Sequence, residues 1–195
     1  MTDDLALVAR TALRRTIRAQ RRAFVEALPV SVRTIAFRAL PSPVRRRIPE
    51  SATIALYAPT TFEAPTRHIA IQLAEAGHPL CLPAFDDQDA PMHFARWLPD
   101  DPLVPGPHRV HQPEKASDHL VPDVLIIPML AFDARLQRLG QGGGHYDRAL
   151  AALPGALRIG LAWSCQQIDS VPVEAWDMPM DLIVTEQRFF EPEMN

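Results

Sequence analysis

A cluster of glycines late in the sequence most constrains how this chain can fold. Four of its eight glycines lie within five positions, at 140, 142, 143 and 144. The apolar run 124–127 precedes the cluster, and segment 148–153, which follows it, can form a helix. In such a strand–turn–helix layout, glycines let backbone N–H groups converge on an anion, and the start of the helix adds partial positive charge. The cluster therefore predicts either a phosphate-binding turn or a tight structural turn.

Charged residues flank this turn, although its spacing matches neither of two common nucleotide motifs. A P-loop ends in Gly-Lys-Ser/Thr, and the Rossmann fingerprint places G-x-G-x-x-G directly after a strand. Here Arg138 and Arg148 bracket the glycines with fixed cations, and Asp147 is a candidate metal ligand. An anion would meet both backbone donors and cations, but the residues alone do not assign the turn to a known motif.

Alternating apolar segments predict an α/β fold built as a single domain of residues 1–195. The predicted strands are 52–57, 79–82, 92–97, 123–128, 157–163 and 181–185. The predicted helices are 5–28, 30–40, 65–76 and 145–153. Strands that alternate with helices predict a mostly parallel open sheet of about six strands with helices on both faces. A basic N-terminal helical region, about 5–47, precedes the α/β core, about 52–190.

Prolines and glycines set several of the predicted boundaries. Pro65 suits the first turn of the helix 65–76, and Gly77 suits the left-handed residue after its end. Pro83 is predicted to end the second strand. Segment 98–122 contains six prolines and little periodicity, which predicts a long surface loop. The scattered histidines lack metal-ligand spacing and are predicted to be ordinary surface or core residues: His93, His108, His111 and His119.

Composition excludes several classes of protein. With 195 residues, 47% of them hydrophobic, the chain can bury a substantial core. It has no apolar run of about 18 residues, so no transmembrane helix is predicted. The acidic start lacks the apolar region of a signal peptide, and two cysteines are too few for a disulfide scaffold or a zinc site. We therefore expect a cytoplasmic, monomeric protein that does not bind membranes.

Positive charge is concentrated near the N-terminus. Residues 1–50 hold eleven arginines against four acids, a net charge of +7, and the remainder carries −10. Arginines repeat every four positions along the first helix, at 10, 14, 18 and 22. This stripe predicts either a solvated face or a set of phosphate ligands, for which the forked guanidinium is suited. Nucleic-acid binding is not expected, because the stripe lacks interleaved aromatics and the rest of the chain is acidic.

Glu63 follows the first predicted strand, where the chain crosses to the next helix. Ligands bind at such crossings in open α/β sheets, which makes Glu63 a candidate ligand-binding acid. The alternative is an acid in the first turn of the helix, where its charge would complement the helix dipole.

Several of these segments recur together in one known family. The most specific is Arg138-Leu-Gly-x-Gly-x-Gly-x-Tyr146-Asp147, which follows Pro128-x-x-Ala-Phe-Asp133. The flanking segments are Tyr57…Glu63-x-x-Thr66, Ile159-Gly-Leu-Ala, Asp177 and Val184-Thr185-Glu186. In this order they resemble the 5-formyltetrahydrofolate cyclo-ligase family, also called methenyltetrahydrofolate synthetase. The resemblance runs from the N-terminal helix to about Glu186.

The resemblance implies an ATP- and Mg²⁺-dependent ligase. Its substrates would be the small molecules ATP and 5-formyltetrahydrofolate (folinate), and its products 5,10-methenyltetrahydrofolate, ADP and phosphate. In the family, the formyl oxygen attacks the γ-phosphate of ATP, N10 of the folate closes on the activated carbon, and phosphate leaves. An amide-like oxygen is a poor leaving group, and phosphorylation converts it into a good one. Such a transfer depends on positioning and charge stabilisation.

The resemblance also implies roles for particular residues. The residues expected to bind ATP are Arg10, Arg14, Arg138, Leu139, Gly140, Gln141, Gly142, Gly143, Gly144, His145 and Tyr146. The expected magnesium ligands are Asp147 and Asp177. The residues expected to bind folate are Ala58, Glu63 and Tyr146. Tyr146 and Arg138 are expected to be catalytic, with Tyr146 beside the reacting formyl group.

Two positions depart from the family's pattern. Arg10 stands where lysine is common, which keeps the charge but changes its geometry. His145 replaces the first tyrosine of the common Tyr-Tyr-Asp, so the ring stays flat but titrates near neutral pH. These departures support one alternative, a non-catalytic family member that binds folate or nucleotide in a regulatory role.

Overall fold

The computed structural model describes residues 2–114 and 118–192. Its α-helices are α1 (Thr2–Ala27), α2 (Val30–Ile35), α3 (Ser42–Arg45), α4 (Arg67–Glu75) and α5 (His145–Ala151). Its strands are β1 (Ile54–Ala55), β2 (Leu80–Ala84), β3 (His93–Arg96), β4 (Leu103–Pro105), β5 (His111–Pro113), β6 (Val124–Pro128), β7 (Ala131–Phe132), β8 (Arg138–Leu139), β9 (Leu157–Leu161), β10 (Leu182–Val184) and β11 (Phe189–Phe190). No helix in the described ranges is both long and apolar enough to cross a membrane.

Seven strands form the central sheet, in the order β11-β10-β9-β6-β1-β2-β3. The four inner pairings are parallel, and the edge strands β3 and β11 pair antiparallel with their neighbours. This confirms the predicted α/β fold with a mostly parallel sheet. Within this central sheet, only β11 was not predicted from the sequence, because its two residues are too few for a recognisable period.

Helices cover both faces of the sheet, as predicted. Ile54 of β1 packs in one cluster with Val25 of α1 and Ile69 of α4. Because successive side chains of a strand point to opposite faces, the neighbouring Ala55 lies in a second cluster, with Leu150 of α5. A fully buried aliphatic side chain contributes about 1.5–3 kcal/mol, so these two clusters hold the helices on the sheet.

Two predicted boundaries are wrong for identifiable reasons. α2 ends at Ile35, because Phe37 adopts φ 56° and buries its ring against Trp163 at a centroid distance of 5.0 Å. Pro83 does not end β2 but lies inside it. The ladder with β1 stops at Cys81, so Pro83 pairs on one side only, with Phe94, and its missing N–H is tolerated.

The prediction of a long loop over 98–122 is also wrong. This segment contains the antiparallel hairpin β4–β5, whose tip is a 3₁₀ turn, and residues 115–117 lie outside the described ranges. The side chain of Gln112 fastens the hairpin to the end of β2. Its Oε1 accepts from the N–H of Phe85 and its Nε2 donates to the carbonyl of Phe85, both at 3.1 Å. Gly106 leaves room for this amide, because a Cβ there would lie 2.2 Å from Oε1 of Gln112.

Candidate active site

A large cavity, about 1360 Å³ in volume, opens at the carboxyl ends of β1, β2 and β6. Tyr57 and Ala58 follow β1, Pro83 belongs to β2 and Pro128 ends β6, and all four line it. The chain places β2 on one side of β1 and β6 on the other, so the strand order reverses here. Ligands of open α/β sheets bind at such a point.

The structure brings nearly all of the sequence-predicted site residues to this cavity. Those that line it are Arg10, Arg14, Ala58, Glu63, Arg138, Gly140, Gln141, Gly142, Gly143, Gly144, His145, Tyr146, Asp147 and Asp177. The exception is Leu139, whose side chain is fully buried in a cluster with Ile17. Neighbouring residues of a strand point in opposite directions, so Leu139 faces the core while Arg138 faces the cavity. An ATP contact by the Leu139 side chain is therefore excluded.

The glycine turn (residues 140–144) has a backbone that other residues could adopt only with strain. Gly142 has φ +112° and Gly144 has φ +63°, both in the left-handed half of the map. A Cβ on Gly143 would lie 2.6 Å from the ring of His145. The glycines therefore permit both the path of the turn and the close approach of the next side chain.

Arginines of α1 hold this turn in place. Nε of Arg14 donates to the carbonyl of Gly140 at 3.0 Å. Nη2 of Arg18 donates to Oε1 of Gln141 at 2.9 Å. Burial, followed by the repulsion of Arg10 and Arg18, lowers the pKa of Arg14 from its ordinary value. A concentration of positive charge that disfavours further cations favours an anionic ligand.

Arg10 also binds the loop that carries Asp177. Its Nη1 lies 3.1 Å from Oδ2 of Asp177 and 3.3 Å from Oε1 of Glu174. The same Oδ2 accepts a hydrogen bond from the backbone N–H of Glu174 at 2.8 Å. The side chains of Arg10 and Asp177 are only 11% and 7% exposed, so this is an ion pair with little solvent screening.

A second ion pair joins Arg138 to Asp147, with Nη2 and Oδ1 2.5 Å apart. The Arg138 side chain is 3% exposed, and within the described part of the chain its buried Nε has no hydrogen-bond acceptor. Its guanidinium carbon lies 6.0 Å from the ring centroid of Tyr146. Arg138 therefore keeps one donor available for an anion while Asp147 holds another.

The two aspartates do not form a metal site by themselves. Among residues 2–114 and 118–192, no three His, Cys, Asp or Glu side chains are grouped so that they could hold an ion. Mg²⁺ is usually bound by one or two carboxylates together with substrate phosphates. Asp147 and Asp177 line the cavity beside their partners Arg138 and Arg10, and they fit a metal–nucleotide complex rather than a bare ion.

Glu63 lies in the same cavity beside the glycine turn, with its carboxylate fixed from two sides. Oε2 accepts from the N–H of Thr60 at 2.9 Å, and Oε1 accepts from Nε2 of Gln141 at 3.3 Å. Nη1 of Arg21 lies 3.7 Å from Oε1. The helix α4 begins only at Arg67 and has no acid in its first turn, which rules out the helix-dipole role for Glu63.

Tyr57 and Tyr146 line the same cavity as this carboxylate. The hydroxyl of Tyr57 donates to the carbonyl of Ala64 at 2.6 Å, and Oγ1 of Thr66 donates to the carbonyl of Tyr57, which together fix the loop that carries Glu63. Burial, and then the charge of Glu63, raises the pKa of Tyr146 well above its usual range. The Tyr146 phenol is therefore a neutral hydrogen-bond donor at physiological pH.

Three rings join the β4–β5 hairpin to the glycine turn along one wall of the cavity. The centroid of the His145 ring lies 4.3 Å from that of His108 and 4.9 Å from that of Phe85. Nη2 of Arg148 lies 3.0 Å from Nδ1 of His145. Burial, followed by the proximity of His108 and Arg148, lowers the pKa of His145. Sequence analysis missed His108 and Phe85, because only the tertiary fold brings them together.

The arginine stripe described from the sequence includes Arg22 but not Arg21. Arg22 points outward and pairs with Glu26 at 2.8 Å, whereas Arg21 lines the cavity. A helix turns about 100° per residue, so Arg21 lies about 20° around the axis from Arg10, and Arg22 about 120°. A search for arginines spaced exactly four residues apart does not include Arg21. Its angle around the helix axis shows that it lies on the same face as Arg10.

Comparison with known proteins identifies the family. The model of the 5-formyltetrahydrofolate cyclo-ligase family matches residues 6–186. The chain belongs to this family. A cyclo-ligase from Escherichia coli (strain K12) is 34% identical over 146 residues, which cover 71% of this chain and 80% of the relative. A cyclo-ligase from Haemophilus influenzae is 38% identical over 98 residues, which cover 47% and 52% of the two chains.

Solved structures agree with this cyclo-ligase assignment at the level of the fold. The NMR structure of 5,10-methenyltetrahydrofolate synthetase from Aquifex aeolicus has a TM-score of 0.73 and 24% identity, and the match covers 95% of this chain and 94% of that one. A 5,10-methenyltetrahydrofolate synthetase from Mycoplasma pneumoniae has a TM-score of 0.64 and 23% identity, with 91% and 98% covered. The resemblance to the cyclo-ligase family that the sequence motifs indicated is thus confirmed. The members of this family are ligases, as predicted.

Proposed function

We propose that this cyclo-ligase family member converts 5-formyltetrahydrofolate to 5,10-methenyltetrahydrofolate, consuming ATP and requiring Mg²⁺. The observation that carries the proposal is a cavity with two chemically different ends. We call the glycine turn with its arginines one end and Glu63 with Arg21 the other, and a hydrogen bond from Gln141 to Glu63 joins them. Tyr146 lines the same cavity, with its ring centroid 6.0 Å from the guanidinium carbon of Arg138. A cavity of about 1360 Å³ has room for two substrates side by side.

At the glycine turn, the charged groups are proposed to exchange partners when a magnesium–nucleotide complex binds. In the structure, Arg10 pairs with Asp177 and Arg138 with Asp147. Phosphate oxygens are good partners for guanidinium groups, and the metal is a good partner for carboxylates. Each charge would then be paired before and after binding, which avoids the cost of an unpaired charge in a partly buried site.

Bound ATP supplies a phosphoryl group to the formyl oxygen, which turns a poor leaving group into a good one. The proposed role of the protein is to position the two substrates and to neutralise the charge of the phosphates. Arg14 and Arg138 would hold the phosphates against the turn. Glu63 would anchor the folate so that its N10 reaches the formyl carbon. Tyr146, kept protonated, would donate a hydrogen bond at the formyl oxygen without competing as a nucleophile.

The proposal is tested by mixing the purified full chain with ATP, Mg²⁺ and 5-formyltetrahydrofolate and following the absorbance of the methenyl product. The expected result is product formation that stops when either ATP or Mg²⁺ is omitted, with one ADP released per turnover. No product above an enzyme-free control at saturating ATP would overturn it. Folate binding without ATP hydrolysis in the same preparation would instead support the non-catalytic alternative.

A further inference from the structure

Arg21 is a buried arginine without the partners that burial normally requires. The residue is 6% exposed, yet no acceptor within the described ranges reaches its Nε or its Nη1. The nearest carboxylate oxygen, Oε1 of Glu63, lies 3.7 Å from Nη1, which is too long for a hydrogen bond. Buried polar groups are almost always satisfied, so each exception calls for a specific explanation.

The position of Arg21 indicates where the missing acceptor would come from. Arg21 lines the cavity next to Glu63, and the two side chains are 7% and 8% exposed. Arg22, the next residue along α1, is 64% exposed and pairs with Glu26. Burying the charged Arg21 side chain carries a free-energy penalty, because the charge loses its contact with water. The distant contact with Glu63 offsets this penalty only in part. An acceptor atom of a ligand in the cavity would complete its hydrogen bonds.

Glu63 shows the complementary deficit. An ionised carboxylate offers about four lone-pair sites. Thr60 N–H occupies one on Oε2 and the Gln141 amide one on Oε1. One site on each oxygen is thus free for two adjacent donors of a ligand. Thr60 and Gln141 also fix the plane of the carboxylate, so these two free sites have a defined direction.

We propose that Arg21 is a specificity-determining residue that recognises the 4-oxo group of the pteridine ring. This inference rests on the proposed function. The 2-amino-4-oxo edge of the ring presents two neighbouring donors, the 2-amino group and N3–H, followed by one acceptor, the 4-oxo oxygen. Glu63 accepts from the two donors, and Arg21 donates to the oxo group. The acceptors of Glu63 and the donor of Arg21 therefore match the donors and the acceptor of the ring edge, both in their order and in their number.

This pairing predicts discrimination against a ring with a 4-amino group. That group is a donor, so Arg21 would remain unpaired and would face another donor. N3 of the 4-amino ring carries no hydrogen, so Glu63 would also lose one of its two donors. Sites built to hydrogen-bond a polar group reject analogues lacking it, because the buried protein group is left unsatisfied. A role of Arg21 in merely supporting the fold would lower affinity for both rings alike.

The test compares the affinities of folic acid and its 4-amino counterpart for the full chain by isothermal titration calorimetry. Wild type is expected to bind the 4-oxo compound at least about tenfold more tightly. Arg21→Met is expected to weaken binding of the 4-oxo compound about tenfold or more while changing the 4-amino compound little. Arg22→Met is the matched control on the same helix, and both of its affinities should equal those of wild type.

Several results would overturn the inference. Equal affinity of the wild type for the two rings would do so without any variant, which matters if Arg21→Met fails to fold. Equal weakening of both ligands by Arg21→Met would reduce Arg21 to a supporting role. If the wild type cyclises 5-formyltetrahydrofolate but Arg21→Met keeps full selectivity, only this inference fails. If the wild type neither binds folates nor forms product, the proposed function fails with it.

Discussion

The two ends of the cavity handle charge in opposite ways. At the glycine turn, Arg10 pairs with Asp177 and Arg138 pairs with Asp147. At the other end, Arg21 lacks hydrogen-bond acceptors for its buried nitrogens within the described chain. The first end can bind a charged ligand by exchanging partners, and the buried Nε of Arg138, which has no acceptor within the described chain, is a further donor there. The second end is already arranged for a ligand that supplies the missing groups.

This difference matches the proposed ligands at each end. A magnesium–nucleotide complex brings both signs of charge, so it can satisfy the members of each ion pair separately. A pteridine edge is neutral and brings only donors and acceptors, so it suits a fixed pair of side chains. We therefore expect nucleotide binding to depend on salt, because phosphates must compete with internal pairs, and folate recognition to depend mainly on hydrogen-bond pattern.

The largest effect is expected from a substitution that prevents the proposed exchange of ion-pair partners at the glycine turn. Asp147→Asn removes the charge that a metal needs but retains an oxygen that can accept from Arg138. We expect the cyclisation rate at saturating ATP and Mg²⁺ to fall by about 100-fold or more, the scale of several kcal/mol for a lost metal ligand. The absorbance assay measures this.

The matched control is Asp118→Asn, which breaks an exposed ion pair with Arg96 at 3.2 Å, and Asp118 does not line the cavity. Its rate should equal that of wild type. If Asp147→Asn also cyclises at the wild-type rate, Asp147 does not bind the metal, and the exchange model of this end is wrong.

A smaller effect is expected when backbone strain is introduced at the glycine turn, because the strain should affect ATP binding but not folate binding. Gly142 has φ +112°, and a Cβ there would also lie 3.4 Å from the guanidinium carbon of Arg14. Gly142→Ala is expected to cost about 1–3 kcal/mol of unfolding free energy, a decrease in melting temperature of roughly 2–10 °C. It should raise the KM for ATP while leaving the calorimetric affinity for folic acid near that of wild type.

The control for this variant is Gly155→Ala, because no atom would lie within 4 Å of a Cβ at that glycine. Its melting temperature and KM should change little. Equal loss of folic acid and ATP affinity in Gly142→Ala would show that the turn supports both ends, which would remove the distinction between them.

The sequence predicts the parts of this arrangement that depend on local pattern. Buried runs such as 124–127, the left-handed Gly77 after α4, and the glycine turn itself are visible in residue types and spacing. These features arise because backbone conformation and burial on a strand constrain which residues can occupy nearby positions.

The sequence does not predict the parts that depend on tertiary contacts. The β4–β5 hairpin is held by Gln112 against Phe85, 27 positions away, and its prolines resemble those of a loop. Asp177 meets Arg10 across 167 positions. Arg21 differs from Arg22 only by its angle around α1, which strict counting by fours obscures. The glycine-turn end was therefore identified largely through family resemblance, and the Arg21 pairing required the structure.

The smallest expected effect concerns pH and the ring wall beside the glycine turn. Burial and the nearby His108 and Arg148 lower the pKa of His145, so the folded protein favours its neutral form. The contribution of His145 to stability is therefore complete above the pKa of an unfolded histidine, about 6.5, and falls as the pH drops below it. His145→Phe keeps a flat ring at this position and cannot be protonated.

We expect the melting temperature of His145→Phe to fall less steeply than that of wild type between about pH 7 and pH 5, the range just around the unfolded pKa. Some acid sensitivity should remain, because burial and the neighbouring His119 also lower the pKa of His93. His68→Gln, a change at an exposed position of α4, should keep the wild-type slope. Differential scanning fluorimetry across this range compares the three slopes. If His145→Phe and wild type show the same slope, protonation of His145 does not oppose folding, and the ring wall contributes packing without a pH response.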